Sequence, residues 1–182
     1  MTIQYAILGL LSWRPLSGYD IKKFIADSAA LYWSGNNNQI YRPLVQMHNE
    51  GLVTQQVEYQ ESLPAKKIYT ITDKGRAALR DWVASTPELP EFRNAFLVQL
   101  AWADLLDDET LDKLLASYEE EVQMQLVMQR EKARRQSAAP SRTPREEYLW
   151  EMIAQNVVGA YENELQWVQN LREGLKQKAW KA

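Results

Sequence analysis

Cysteine is absent from the 182 residues, which excludes disulfide scaffolds, cysteine nucleophiles and cysteine-based zinc fingers together. Histidine is almost absent. His48 stands alone, too few for a multi-histidine metal site and the one candidate for an imidazole base. No segment approaches the roughly 20 apolar residues that a bilayer-spanning helix needs. Met1-Thr2-Ile3-Gln4-Tyr5 carries no basic stretch ahead of its apolar run, and no small-residue cleavage site follows, so the start does not read as a secretory signal. No glycine-rich phosphate loop, nucleophile motif, carboxylate pair beside His48 or internal repeat is found. The expectation is a reduced, cytoplasmic protein with no membrane partner, no cofactor and no metal, and one that is not an enzyme.

What is present is an ordinary globular balance, 46% apolar and 25% charged, enough to bury a core in one domain or two small ones. Thr2 caps a helix with Ile3, Ile7, Leu10 and Leu11 on one face, and Arg14-Pro15 ends it because the residue before proline leaves the helical region. Ser17, with Asp20 three positions on, caps a second helix that buries Ile21, Phe24 and Ile25. Ser34-Gly35-Asn36-Asn37-Asn38 is turn and cap chemistry. Ile40, Leu44 and Met47 then mark a third helix that stops at Gly51. The period changes over residues 52–59 and 67–71, two runs of strand formers joined by a polar connection, 60–65, into a hairpin. Thr72 caps a fourth helix carrying Ala78, Leu79, Trp82 and Val83.

The second half is helical throughout. Glu91 to Leu106 reads as one helix with Phe92, Phe96, Leu97, Leu100 and Ala103 inward. Asp107 and Asp108 start another, which buries Leu111, Leu115, Tyr118, Val122 and Leu126. Residues 136–141 form a polar linker, and Thr143-Pro144-Arg145-Glu146 is a capping box with proline at the first helical position. The last helix holds Leu149, Ile153, Val157, Tyr161, Leu165, Val168, Leu171 and Leu175 on one stripe. The fold class expected is mainly α with a small β-hairpin. It comprises a winged helix-turn-helix over 1–86 and a helical domain over 87–182.

Three short helices followed by a hairpin is the order of a winged helix-turn-helix, in which the third helix enters the major groove and the hairpin flanks it. Asn36, Asn37, Asn38 and Gln39 are amides able to pair with base edges, or, equally, only to cap the helix. Tyr41 and Arg42 follow on the outward face as phosphate, sugar or guanine contacts, or as ordinary exposed residues. Lys66 and Lys67 sit beside the hairpin turn, either as phosphate contacts or as a solubilising edge. The net charge of −3 and pI near 5.3, taken over the whole chain, disfavour a DNA partner. Residues 1–86, however, hold nine Lys and Arg against seven Asp and Glu, a net of +2, and residues 87–182 hold twelve against seventeen, a net of −5. The acid belongs to the half without the motif.

The runs Tyr5-Ala6-Ile7-Leu8-Gly9-Leu10-Leu11 and Ser17-Gly18-Tyr19-Asp20-Ile21 resemble the opening of the PadR-like transcriptional regulators. So do Gln39-Ile40-Tyr41-Arg42-Pro43-Leu44, Asn49-Glu50-Gly51-Leu52-Val53, and the run from Lys66 to Gly75. Glu91-Phe92-Arg93-Asn94-Ala95-Phe96-Leu97 and the long last helix resemble the C-terminal domain of that family's longer members. The resemblance implies a homodimeric repressor on an inverted-repeat operator, dimerised through its C-terminal helices. It also implies release by a small aromatic acid, as in some members. Where the family often has Ser, Gly or Thr at the start of the third helix, this chain has Asn.

From the residues themselves, the stripe Leu149, Ile153, Val157, Tyr161, Leu165 and Val168 is long for a chain with few internal partners, which points to a second copy as its cover. Trp33, Trp102, Trp150 and Trp167 either fill core and interface or line an aromatic pocket, and no ligand residue is assigned. His48, at the end of the third helix, reads as structural. The competing function class is a winged-helix protein-interaction module that never touches DNA.

Overall fold

The computed structural model describes residues 2–28, 31, 38–59, 66–89, 94–135 and 142–178. They fall into two compact units, one running to Glu88 and the other starting at Leu89.

In the first unit, α1 (Thr2–Leu11), α2 (Gly18–Asp27), α3 (Asn38–Asn49) and α4 (Asp73–Val83) surround a small sheet. Its strands are β1 (Leu16–Ser17), β2 (Val53–Glu58) and β3 (Lys66–Ile71), antiparallel and in the order β1-β3-β2. The hairpin register runs from Val53 opposite Ile71 to Glu58 opposite Lys66. The third strand corrects the two-stranded reading: Leu16 and Ser17 pair with Tyr69 and Ile68. Two residues carry no readable alternation, so this strand exists only because α1 delivers the chain to the free edge of β3.

Local chemistry sets the boundaries. Ser17 accepts from the Asp20 amide while the Asp20 carboxylate accepts from the Ser17 amide, a complete capping box. The α3 helix ends as its glycine requires. Gly51 takes φ +71°, the Gly51 amide donates to the His48 carbonyl, and the Leu52 amide donates to that of Met47, closing a Schellman turn. Thr72 accepts from the Gly75 amide to start α4. The core joins Ile7, Leu8 and Leu11 of α1, Ile21 and Ile25 of α2, Leu44 and Met47 of α3, and Val53, Tyr69 and Ile71 of the sheet. Trp82 stays largely open on α4 but stacks on Tyr5 with ring centres 4.5 Å apart.

The second unit holds α5 (Ala95–Ala101), a single 3-10 turn (Ala103–Leu105), α6 (Asp108–Arg135) and α7 (Pro144–Lys176). The continuous helix expected over 91–106 is not what forms. Residues 90–93, with Phe92 among them, lie outside the described residues. Asn94 caps α5, and the helix gives way to the 3-10 turn at Trp102. Phe96 and Ala103 are buried as expected, but Leu97 is exposed. The α6 and α7 helices run antiparallel. Arg172 pairs with Asp112 and Glu119, Gln169 with Glu119, and Arg130 with Glu162 at 2.6 Å, so partner numbers fall along one helix as they rise along the other. Their core is small: Phe96, Leu115 and Val168, with Leu100, Leu111, Tyr118, Leu165 and Leu171 partly buried around them.

Candidate nucleic-acid interface

The α3 helix has two faces because its apolar residues recur every three or four positions. Ile40, Leu44 and Met47 are buried in the core. The opposite face presents Tyr41, Arg42, Val45, Gln46, Asn49 and Glu50, which line one shallow depression. Tyr41 is 44% exposed and its ring is not loose on this face. It lies against Gly18 at the start of α2, where a Cβ would come within 2.6 Å of the ring. A glycine there is what lets the tyrosine sit close to α2. The Tyr41 hydroxyl also lies near that of Tyr69; burial first, then the charge Tyr41 would carry, pushes the Tyr69 pKa up.

The amide run is divided. Asn36 and Asn37 lie outside the described residues, and so does the side chain of Asn38, whose backbone opens α3. Gln39 is half-buried and its Oε1 is buried with no hydrogen-bond partner among the described residues. That oxygen is not offered to a ligand in the groove.

The two hairpin lysines separate. Lys66 Nζ lies 3.1 Å from Asp20 Oδ2, so its charge is already matched inside the unit. Burial raises the Asp20 pKa, but the hydrogen bonds from Ser17 and Lys66 outweigh it and leave the carboxyl below its ordinary value. Lys67 is exposed. Neighbouring strand residues point to opposite faces, so Lys67 shares the face of Tyr69 and not that of Lys66. Of the two lysines expected at the flanking phosphates, Lys66 is thus held in an ion pair and Lys67 is open.

The stripe on α7 is also divided. Leu149 and Ile153 are 52% and 42% exposed, Val157 and Tyr161 are half-buried, and Leu165 packs partly against the unit's own core. Val168 has no exposed surface at all. Its assignment to a partner contact is corrected: Phe96 and Leu115 already cover it. Sequence reasoning missed Tyr148 and Met152 beside the exposed end, and Met124, Val127 and Met128 on α6, all open. The last three have helical spacing that offered the signal. Of the four tryptophans weighed for a pocket, Trp33 lies outside the described residues, Trp102 is exposed, and Trp167 meets Phe96 edge-on. No helix among the described residues is long and apolar enough to cross a membrane.

Comparison with known proteins gives these surfaces a context. Residues 7–81 match the Transcriptional regulator PadR-like family, and residues 92–176 match the Virulence activator alpha C-term family. The Negative transcriptional regulator PadR of Bacillus subtilis is 39% identical over 89 residues, 49% of either chain. The chain thus aligns with about half the length of the curated relatives it matches. Bacillus subtilis PadR in complex with operator DNA superposes with a TM-score of 0.80 at 24% identity, covering 95% of this chain and 98% of that one. The same protein in complex with p-coumaric acid gives 0.73 at 23%, with 93% of each chain covered. At these identities the superpositions establish the fold.

Proposed function

We propose that the chain, whose residues 7–81 match the PadR-like family of transcriptional regulators, a family of regulators and not of enzymes, is a cytoplasmic, homodimeric repressor. It binds an inverted-repeat operator with α3 in the major groove, and a small aromatic acid releases it. The observation that carries this reading is the outward face of α3, where a pinned Tyr41 and an exposed Arg42 stand clear of a core built from the opposite side of the same helix. Arg42 reads a phosphate or a guanine, Tyr41 a phosphate or sugar, and Lys67 the flanking backbone. Asn36, Asn37 and Asn38 are assigned to base edges by their amide chemistry alone. The name of the Bacillus subtilis relative supports repression, and its complexes support operator DNA and a phenolic acid as ligands.

Dimerisation through Leu149, Ile153, Val157 and Tyr161 of α7 would set two α3 helices one turn of DNA apart, about 34–36 Å, or a multiple of it. The effector acts by favouring a dimer whose helices no longer match that spacing. The test is titration of the full chain, by fluorescence anisotropy, onto the intergenic DNA beside its own gene at several salt concentrations. Binding should weaken linearly on a log–log plot. Tyr41→Ala should weaken it, Lys67→Ala should reduce the slope by about one, and p-coumaric acid should displace the DNA. Binding to promoter DNA unchanged by both substitutions refutes the reading and leaves a winged-helix protein-interaction module.

A further inference from the structure

The six residues lining the depression on α3 are not equivalent. At its far end, Gln46 Nε2 donates to Glu50 Oε1 at 2.8 Å, so that amide is engaged within the chain. The Glu50 carboxylate beside it repels phosphate. The residues left to meet a nucleic acid are Tyr41, Arg42, Val45 and Asn49. Three of these have hydrogen-bonding groups. Val45 has none, yet it is 56% exposed in the middle of the face. The helix does not need it for packing, because Ile40, Leu44 and Met47 already supply the core contact.

An isopropyl group held in water at the centre of a polar surface has a natural partner in the major groove. Of the base edges displayed there, thymine alone carries a methyl group, and aliphatic side chains read it by contact. We infer that Val45 is a specificity-determining residue that packs on the C5 methyl of a thymine in each operator half-site. The inference rests on the reading that α3 enters the major groove. Neighbouring Tyr41 and Arg42, one turn back on the same face, fix how far the helix enters, and Val45 then distinguishes thymine from cytosine at one position.

The test begins with a randomised duplex library selected on the full chain. Each thymine of the selected site is then replaced singly by deoxyuridine, which removes the methyl group and leaves the pairing intact. At one symmetric position per half-site, the replacement should weaken binding about three- to fivefold, the worth of one buried methyl. Val45→Ala should bind the thymine operator more weakly by a similar factor and should not distinguish thymine from deoxyuridine at that position. As an exposed residue, its replacement should leave the melting temperature unchanged. If a sequence is enriched but no deoxyuridine penalty exists, or every penalty persists in Val45→Ala, the inference is overturned while DNA recognition stands. If no sequence is enriched above random DNA, the recognition reading fails and the role of Val45 fails with it.

Discussion

The two units differ in where their apolar residues go. In the first, fourteen buried hydrophobic residues from α1, α2, α3 and all three strands form one cluster. In the second, the cluster has three buried members, and Val122 and Leu126 of α6 are buried apart from it, although its two long helices are rich in Leu, Val, Met and Tyr. The difference is one of shape. Four helices and a sheet can enclose a core, whereas a pair of helices buries only the seam between them and leaves the rest of each apolar stripe outside. From the Arg130–Glu162 pair, equal rise along both helices brings the end of α6 level with about residue 157 of α7. Leu149 and Ile153 therefore lie beyond what α6 reaches. The unit with the self-contained core carries the candidate DNA face, and the unit with the open stripe carries the candidate dimer contact.

That contrast is best broken at its most exposed point. Leu149→Glu combined with Ile153→Glu puts unpaired charges where the second copy should sit, at a cost of several kcal/mol for each dimer. The expected result in sedimentation or light scattering is a monomer that keeps its helical circular dichroism. A persisting dimer would move the interface elsewhere. Leu44→Ala probes the other side of the comparison, the closed core. A cavity there should cost about 2–5 kcal/mol in chemical denaturation, without changing the dimerisation constant of the molecules still folded.

The smallest effect sharpens the contrast through pH. The folded Asp20 pKa lies below its ordinary 3.8. A carboxylate depressed by folding adds stability above its unfolded pKa and loses it as pH falls through the folded value. Asp20→Asn keeps a capping side chain but forfeits the Lys66 pair, a partly exposed one worth about 0.5–1 kcal/mol. The stability gap between parent and variant should be present at pH 7 and should close as the pH drops from about 4. An equal gap at pH 3 would show that the charge is not what matters.

Much of the first unit was legible because its signals are local. Ser17 with Asp20, Gly51, and Thr72 three residues before Gly75 act within one turn of chain, and each cap stands where the residue types put it. The recognition-type helix was legible for the same reason, since Ile40, Leu44 and Met47 leave Tyr41 and Arg42 on the other face by geometry alone. Less local features were not legible. Lys66 and Lys67 look like a pair in the sequence, but strand alternation separates them and Asp20, 46 residues earlier, takes one. Gln39 sits in an amide run yet turns its oxygen inward. The helix expected over 91–106 had apolar residues at suitable spacing, but periodicity does not report the break at Trp102.

By itself the sequence determined the class of molecule, the order of its elements, their caps and the outward face of α3, because these follow from backbone chemistry and spacing within a few residues. Only the tertiary structure decided the third strand, the fate of Lys66, the close seat of Tyr41 on Gly18, and which end of the α7 stripe remains open. Each of these depends on which distant surface arrives next to a residue. A stripe in sequence says that apolar area must be covered; what covers it is settled when the chain folds, as Phe96 and Leu115 do for Val168 while nothing on α6 reaches Leu149.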